Sequence, residues 1–369
     1  MRRLSLIGAV GLAALVLAGC TSADDTTDDA SGGDGSAVAT VEEFNAMSGD
    51  ARHDALVAAA QEEGAVVFYS TAPGWQPVLD AFSDTYDIEV EVFNGRSETI
   101  LQRVVQEYQA GLHAVDVFED EASQLLAKED GMTTTYVNDE LTSQIPGYDD
   151  SLGFVPFRLS VPTFAWNTDL VDDDDIPETI TDLADPKWDG LLTMDAGAWP
   201  WYAGMHDYLS EEEGWSDDEI EEFFTTLVDY SSPQGSSITM TELIVAGEYD
   251  AGTSVLSQVV DRTTARDAPI TWTTEDGRYM KPLIVQPEGG VLMANAPHPA
   301  AAVLLIDFIL SEGAQVLLDG GTFVPTAVQL PGGPLEHVAE EDLRLINPEY
   351  ITTQYEEWAD EYDALIRQQ

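Results

Sequence analysis

The chain has 369 residues, 44% of them hydrophobic, which suffices for two domains with buried cores. Its 69 acidic residues against 14 basic ones give a formal net charge of −55, which excludes nucleic-acid binding, since that needs a basic footprint. So dense a negative surface repels itself in dilute buffer and is screened at molar salt, where the Debye length is about 3 Å; the expectation is a protein adapted to a saline medium.

In chain order, Arg2 and Arg3 precede an apolar run from Leu4 to Ala18 and the ending Leu17-Ala-Gly-Cys20. A basic region, a short apolar region and small residues before a cleavage point make a signal peptide over 1–20. Its ending resembles the lipobox of prokaryotic lipoproteins, which implies lipidation at Cys20. Cys20 is the chain's one cysteine, so no internal disulfide can form. Residues 21–40 are Asp, Thr, Ser, Gly and Ala with little apolar content, a flexible acidic tether.

A helix is expected from Ala51 to Glu63, ending at Gly64, followed by a buried strand Ala65–Ser70. Pro77 suits the first turn of the next helix, and Ile88, Val90 and Val92 alternate with acids as a half-exposed strand. Ser97 is placed to cap a helix whose Ile100, Leu101, Val104, Val105 and Tyr108 share a face, with Gly111 ending it and a strand Val115–Phe118 beyond. This β-α-β-α-β order predicts an α/β fold with a parallel sheet.

Phe154–Trp166 reads as extended, because Pro156 and Pro162 forbid helix. A second α/β unit follows: a strand from Leu191, a capping box Ser216-Asp-Asp-Glu219 opening a helix, and strand candidates at Tyr249–Thr253 and Ile270–Thr273. Pro282–Gln286 and Gly290–Ala294 read as two returning strands. Pro299 opens a helix to Leu310 that is apolar nearly all round, hence buried, and too short to span a membrane. The acidic segment beyond Pro331 reads as partly helical, with Tyr355 and Trp358 candidates to pack back.

The stretch Leu191–Tyr202 stands out. A short apolar strand breaks at Gly197 and Pro200 and is followed by Trp199, Trp201 and Tyr202. Aromatics on a loop beyond a strand's carboxyl end either pack locally or line a pocket, and pockets in open α/β sheets form there. Ser70 and Thr71 end the first strand and Glu119 the third, the same kind of position. Arg96 and Ser97 stand at an expected helix start, where backbone N–H groups favour an anion.

Several segments together resemble the extracellular solute-binding proteins of ABC importers, in the subgroup similar to ferric-iron-binding proteins. They are Ala165-Trp-Asn-Thr-Asp-Leu-Val171, Asp182-Leu-Ala-Asp-Pro-Lys-Trp-Asp-Gly190 with its following strand, Gly247-Glu-Tyr-Asp250, and Gly289-Gly-Val-Leu-Met-Ala-Asn-Ala-Pro-His-Pro-Ala-Ala301 with Asp307–Gly313. The resemblance covers roughly residues 64–326 and implies the two-lobe periplasmic-binding-protein type II fold, with the ligand in the cleft between lobes. It implies lobe 1 from 41–157 and 288–325, and lobe 2 from 158–287 and 326–369. Crossing strands at Val155–Pro162 and Met280–Pro287 would form the hinge.

Iron binders of that subgroup use two adjacent tyrosines after the segment matching Gly247–Asp250. Here that region reads Ala251-Gly-Thr-Ser-Val-Leu-Ser-Gln258, and the chain has no Tyr-Tyr pair. Ser257 and the nearby Arg262 occupy this region, and Arg158 lies in the implied hinge. An arginine fork suits carboxylate or phosphate, unless each arginine is paired for structure. The expected ligand is a small organic anion gripped by Arg and Ser and flanked by Trp199, Trp201 and Tyr202, with ferric iron on non-standard ligands as the alternative. No cofactor or resident metal is expected. The resemblance also implies permease and ATPase partners, a monomer, and residence outside the cell membrane on a lipid anchor.

A secreted hydrolase is the rival. The chain lacks Gly-x-Ser-x-Gly, His-Glu-x-x-His and a Walker loop, which leaves such an enzyme only a carboxylate pair.

Overall fold

The computed structural model describes residues 40–120, 123–126, 131–145, 148, 153–321, 323–326 and 330–367. Cys20, the signal peptide and nearly all of the tether lie outside the described residues.

Thirteen strands are described. They are β1 (Ala65–Ser70), β2 (Glu89–Asn94), β3 (Val117–Glu119), β4 (Thr133–Thr134), β5 (Val155–Ser160), β6 (Pro162–Asn167), β7 (Leu192–Asp195), β8 (Ser231–Gln234), β9 (Ala251–Leu256), β10 (Ile270–Thr271), β11 (Leu283–Met293), β12 (Val324–Pro325) and β13 (Leu343–Leu345). The first sheet runs β12-β5-β11-β3-β1-β2, with β4 and β13 also pairing with β11. The second runs β10-β6-β9-β7-β8.

Each sheet has a parallel part where β-α-β units feed it: β2, β1 and β3 in the first, β8, β7 and β9 in the second. Each also has an antiparallel part, built from β5 and β11 in the first and from β6 in the second. The sheets are therefore mixed, not wholly parallel as the β-α-β order suggested. The long-range strands enter from a distant part of the chain, and local order carries no signal for them.

The helices follow their local chemistry. Gly49–Glu63 ends at Gly64, whose φ of 73° is the left-handed conformation that favours glycine. Gln76–Tyr86 carries Pro77 in its first turn, and Asp217–Tyr230 opens with the Ser216/Glu219 capping box. Helix Pro299–Leu310 has every residue from Ala300 to Leu310 buried, and it centres the core beneath the first sheet with Val66, Phe68, Phe82 and Leu292. A fully buried Leu, Ile or Phe contributes roughly 1.5–3 kcal/mol, so this helix is a main source of that half's stability. Among the described residues no single helix is long and apolar enough to cross a membrane.

Two differences bear on the site. The expected pair of returning strands is one eleven-residue strand, β11, irregular between Glu288 and Gly289. A Cβ on Gly289 would stand 1.9 Å from the Val155 carbonyl oxygen, so only glycine allows β5 to approach. In addition, Trp199, Trp201 and Tyr202 do not sit on a loop. They open the helix Trp199–Asp207, with Pro200 in its first turn.

The chain leaves the first sheet at Ser160 and enters the second at Pro162, through the buried Val161. It returns through Met280–Pro282 into β11. Helix Tyr355–Ile366 then packs on Trp199–Asp207: the Tyr202 and Tyr362 ring centroids are 5.4 Å apart, and Trp358 meets Tyr202 at 5.9 Å.

Candidate ligand cleft

A cleft of about 940 Å³ opens where the two sheets meet. Ser97, Leu125 and Glu288 line it from the side of the first sheet. Ser160, Pro162, Ile284 and Gln286, on the strands joining the two halves, form its floor. Asp195, Gly197, Trp199 and Trp201, with Ser254 and Leu256, line it from the side of the second sheet. The segment Ile351–Glu357 closes another flank. A cavity of this size accommodates a small solute.

Asp195 is the best-defined wall residue. It ends β7, where strand carboxyl ends put ligand-facing groups. Its N–H donates to Ser254 Oγ at 3.1 Å, and its carbonyl accepts from the Tyr362 hydroxyl at 2.6 Å. Its Oδ1 accepts from the Gly197 N–H at 2.8 Å. Burial pushes its carboxyl pKa above the ordinary value, and the Gly197 hydrogen bond offsets part of that rise. No cation among the described residues faces it. Ser254 itself has φ 57°, a left-handed conformation costing a non-glycine residue roughly 1–3 kcal/mol, held by its hydroxyl donating to the Thr253 carbonyl at 2.6 Å. The strain is spent where β9 meets the cleft.

The aromatic wall is Trp199 against Tyr355, edge to face with ring centroids 5.1 Å apart. Trp199 is half-buried and Tyr355 exposed, so both present ring surface to solvent. Trp201 also lines the cleft but is 2% exposed, its ring packed edge-on against Phe224.

The other expected contacts divide. Ser97 reaches the cleft, but it does not cap its helix: Arg96 is the N-cap residue, and the Ser97 hydroxyl donates to Asp120 Oδ1 at 2.9 Å. Thr71 donates to the other oxygen of the same carboxylate at 2.6 Å. Ser70 and Glu119 are fully buried and bonded to each other at 2.6 Å, part of a network beneath the cleft. Arg158 belongs to that network, reaching Glu119 Oε1 at 3.2 Å on one side and pairing with Glu288 on the other. Burial raises the Glu119 pKa, and Arg158 and Ser70 pull it down.

Arg96 is exposed and not part of the cleft wall. Tyr202 turns into the core, its hydroxyl donating to Glu361. Ser257 is fully buried at the start of helix Ser257–Thr264. Arg262, in that helix's last turn, lies against Gly321 and outside the cleft.

The arginines expected to grip an anion are not among the described residues of this wall. Among the described lining residues there is no Arg, Lys or His, while Asp195, Glu288, Glu356 and Glu357 are present. Arg158 is the nearest candidate, and two carboxylates already enclose it. Sequence reasoning missed Asp195, Ser254 and Gln286. Asp195 had a usable signal, since it ends the apolar run of β7. Ser254 had none, because a positive φ on serine is set by its surroundings.

The model of the family described as bacterial extracellular solute-binding protein matches residues 78–329. The chain belongs to that family. It is the solute-binding component of an ABC importer, a binding protein rather than an enzyme. Iron uptake protein A1 of Synechocystis sp. is 23% identical over 255 residues, covering 64% of this chain and 68% of that protein. Iron-bound HitA from Pseudomonas aeruginosa superposes with a TM-score of 0.62 at 19% identity, covering 82% of this chain and 98% of that one. AfuA from Actinobacillus pleuropneumoniae, with fructose-6-phosphate bound, gives 0.59 at 18% identity, covering 82% and 99%. At such identities the likeness is one of fold, the two-lobe fold of periplasmic binding proteins, and ligands as unlike as iron and a sugar phosphate sit in it.

Proposed function

We propose that this chain captures a small solute in the cleft between its two sheets and presents it to a permease and its ATPase. The supporting observation is the cleft itself, with walls from both sheets, a floor on the strands that join them, and a volume suited to a small molecule. The segments around Val161 and Met280–Pro282 act as the hinge, so that closure brings Ser97 and Glu288 toward Asp195 and Trp199. The lobe limits follow the sheets: the chain up to Ser160, with β11 and β12, in one lobe, and Pro162–Met280 with the helix Tyr355–Ile366 in the other. A lipid on Cys20 holds the monomer at the outer face of the membrane.

The iron named for several relatives is the alternative reading for this cleft. Ferric ion is hard and wants several anionic oxygens converging. Among the described residues no three His, Cys, Asp or Glu gather as a metal site, and the cleft offers a single tyrosine, Tyr355. Native mass spectrometry of the protein freshly purified from its own host tests the reading. The expected result is one small molecule per chain, released on unfolding and unchanged by incubation. Chemical conversion of that molecule would favour a hydrolase, and retention of one ferric ion would favour the iron reading.

A further inference from the structure

We propose that the cleft is built for an organic cation, a solute carrying an ammonium or guanidinium group, seated against Trp199 and Tyr355 with Asp195 as its counter-charge. This deepens the importer reading and rests on it.

Three independent features converge. The first is charge. The described wall holds Asp195, Glu288, Glu356 and Glu357 and no basic residue, so an anionic guest would meet repulsion from Asp195, Glu356 and Glu357. Glu288 is paired with Arg158, which leaves Asp195 as the half-buried carboxylate without a cationic neighbour.

The second is rigidity. The Asp195 backbone is pinned at its N–H by Ser254 and at its carbonyl by Tyr362, and its Oδ1 is fixed by the Gly197 N–H. Its Oδ2 has no hydrogen-bond partner among the described residues. A half-buried carboxylate held this firmly meets a group of opposite charge with less solvent screening than an exposed one. It was oriented before any guest arrives, so little side-chain entropy is lost on binding.

The third is the aromatic wall. Trp199 and Tyr355 stand perpendicular at 5.1 Å, which gives a guest one ring face and an adjoining edge. Ring faces attract cations, tryptophan most strongly. Pro200 and Leu256 add apolar surface for the carbon skeleton of such a guest. Inorganic cations would leave that apolar and aromatic surface unused.

The test uses the full folded chain in a fixed salt buffer, with melting temperature read against a panel of solutes. Choline, putrescine and agmatine are the cationic probes, citrate and glucose 6-phosphate the anionic ones, glucose and xylose the neutral ones, and ferric citrate the metal probe. The expected result is a shift of several degrees from at least one cationic probe and none from the anions. Asp195→Asn should weaken that probe at least tenfold while the unliganded variant melts within two degrees of the parent. Trp199→Ala should weaken it as well. A shift from an anion, a sugar or ferric citrate with none from the cations overturns the cation assignment and leaves the importer reading standing. Cation binding that survives Asp195→Asn unchanged overturns the role given to that carboxylate. Absence of any shift across all four classes counts against both.

Discussion

Asp261 offers a test of the electrostatics that is independent of any ligand. It lies in the helix Ser257–Thr264 and accepts one hydrogen bond, from the Trp272 indole N–H at 2.8 Å. Burial pushes its carboxyl from an ordinary 3.8 up to about 6, with the indole bond offsetting part of the rise. A carboxyl whose folded pKa lies above its unfolded one binds more protons when folded. Stability therefore falls as pH rises from about 4 to about 6. Roughly two pH units at 1.36 kcal/mol each set a ceiling of about 3 kcal/mol, and the solvent still touching the side chain brings the expected value to about 1–3 kcal/mol. Asp261→Asn keeps the acceptor for Trp272 and removes the charge. Urea unfolding of parent and variant should coincide near pH 4, and the variant should be more stable by about 1–3 kcal/mol at pH 7.5. A variant no more stable than the parent at pH 7.5, or an advantage equally large at pH 4, would refute the reasoning.

Arg158→Met leaves Glu119 and Glu288 buried without their shared cation and should cost about 3–5 kcal/mol at neutral pH, less in acid, by urea denaturation. Gly289→Ala drives a methyl into the β5 backbone and should cost about 1–3 kcal/mol or prevent folding, measured the same way or as soluble yield. Cys20→Ser should move the protein from the membrane fraction to the medium or periplasm, read by fractionation and immunoblot. With a net charge of −55, the thermal midpoint should climb as NaCl is raised from 0.1 to 2 M (about 10 to about 2–3 Å of screening length); a flat response would count against salt adaptation.

Much of the architecture is legible in the residues because local rules govern it. Pro77, the Ser216/Glu219 box, Gly64 and the unbroken apolar helix after Pro299 each mark an element by chemistry confined to a few neighbours. The parts that escape are those decided at a distance. Trp199, Trp201 and Tyr202 begin a helix whose inner face is filled by Phe224 and Tyr362, residues far along the chain. That packing sends Tyr202 inward and leaves Trp199 at the cleft. Arg158 looked like a ligand grip because arginine is scarce here, and its two partners, Glu119 and Glu288, stand on neighbouring strands but far apart in the sequence. β11 reads as two strands because Pro287 and Gly289 interrupt its pattern, whereas pairing on both edges carries it through.

The flank made by Ile351–Glu357 comes from a part of the chain that follows the last strand of either sheet. Neither sheet alone, nor the two together, therefore possesses a finished pocket. The wall is whole only with Tyr362 bonded to the Asp195 carbonyl and Tyr355 set against Trp199. Ligand capture thus depends on the last helix of the chain as much as on either sheet.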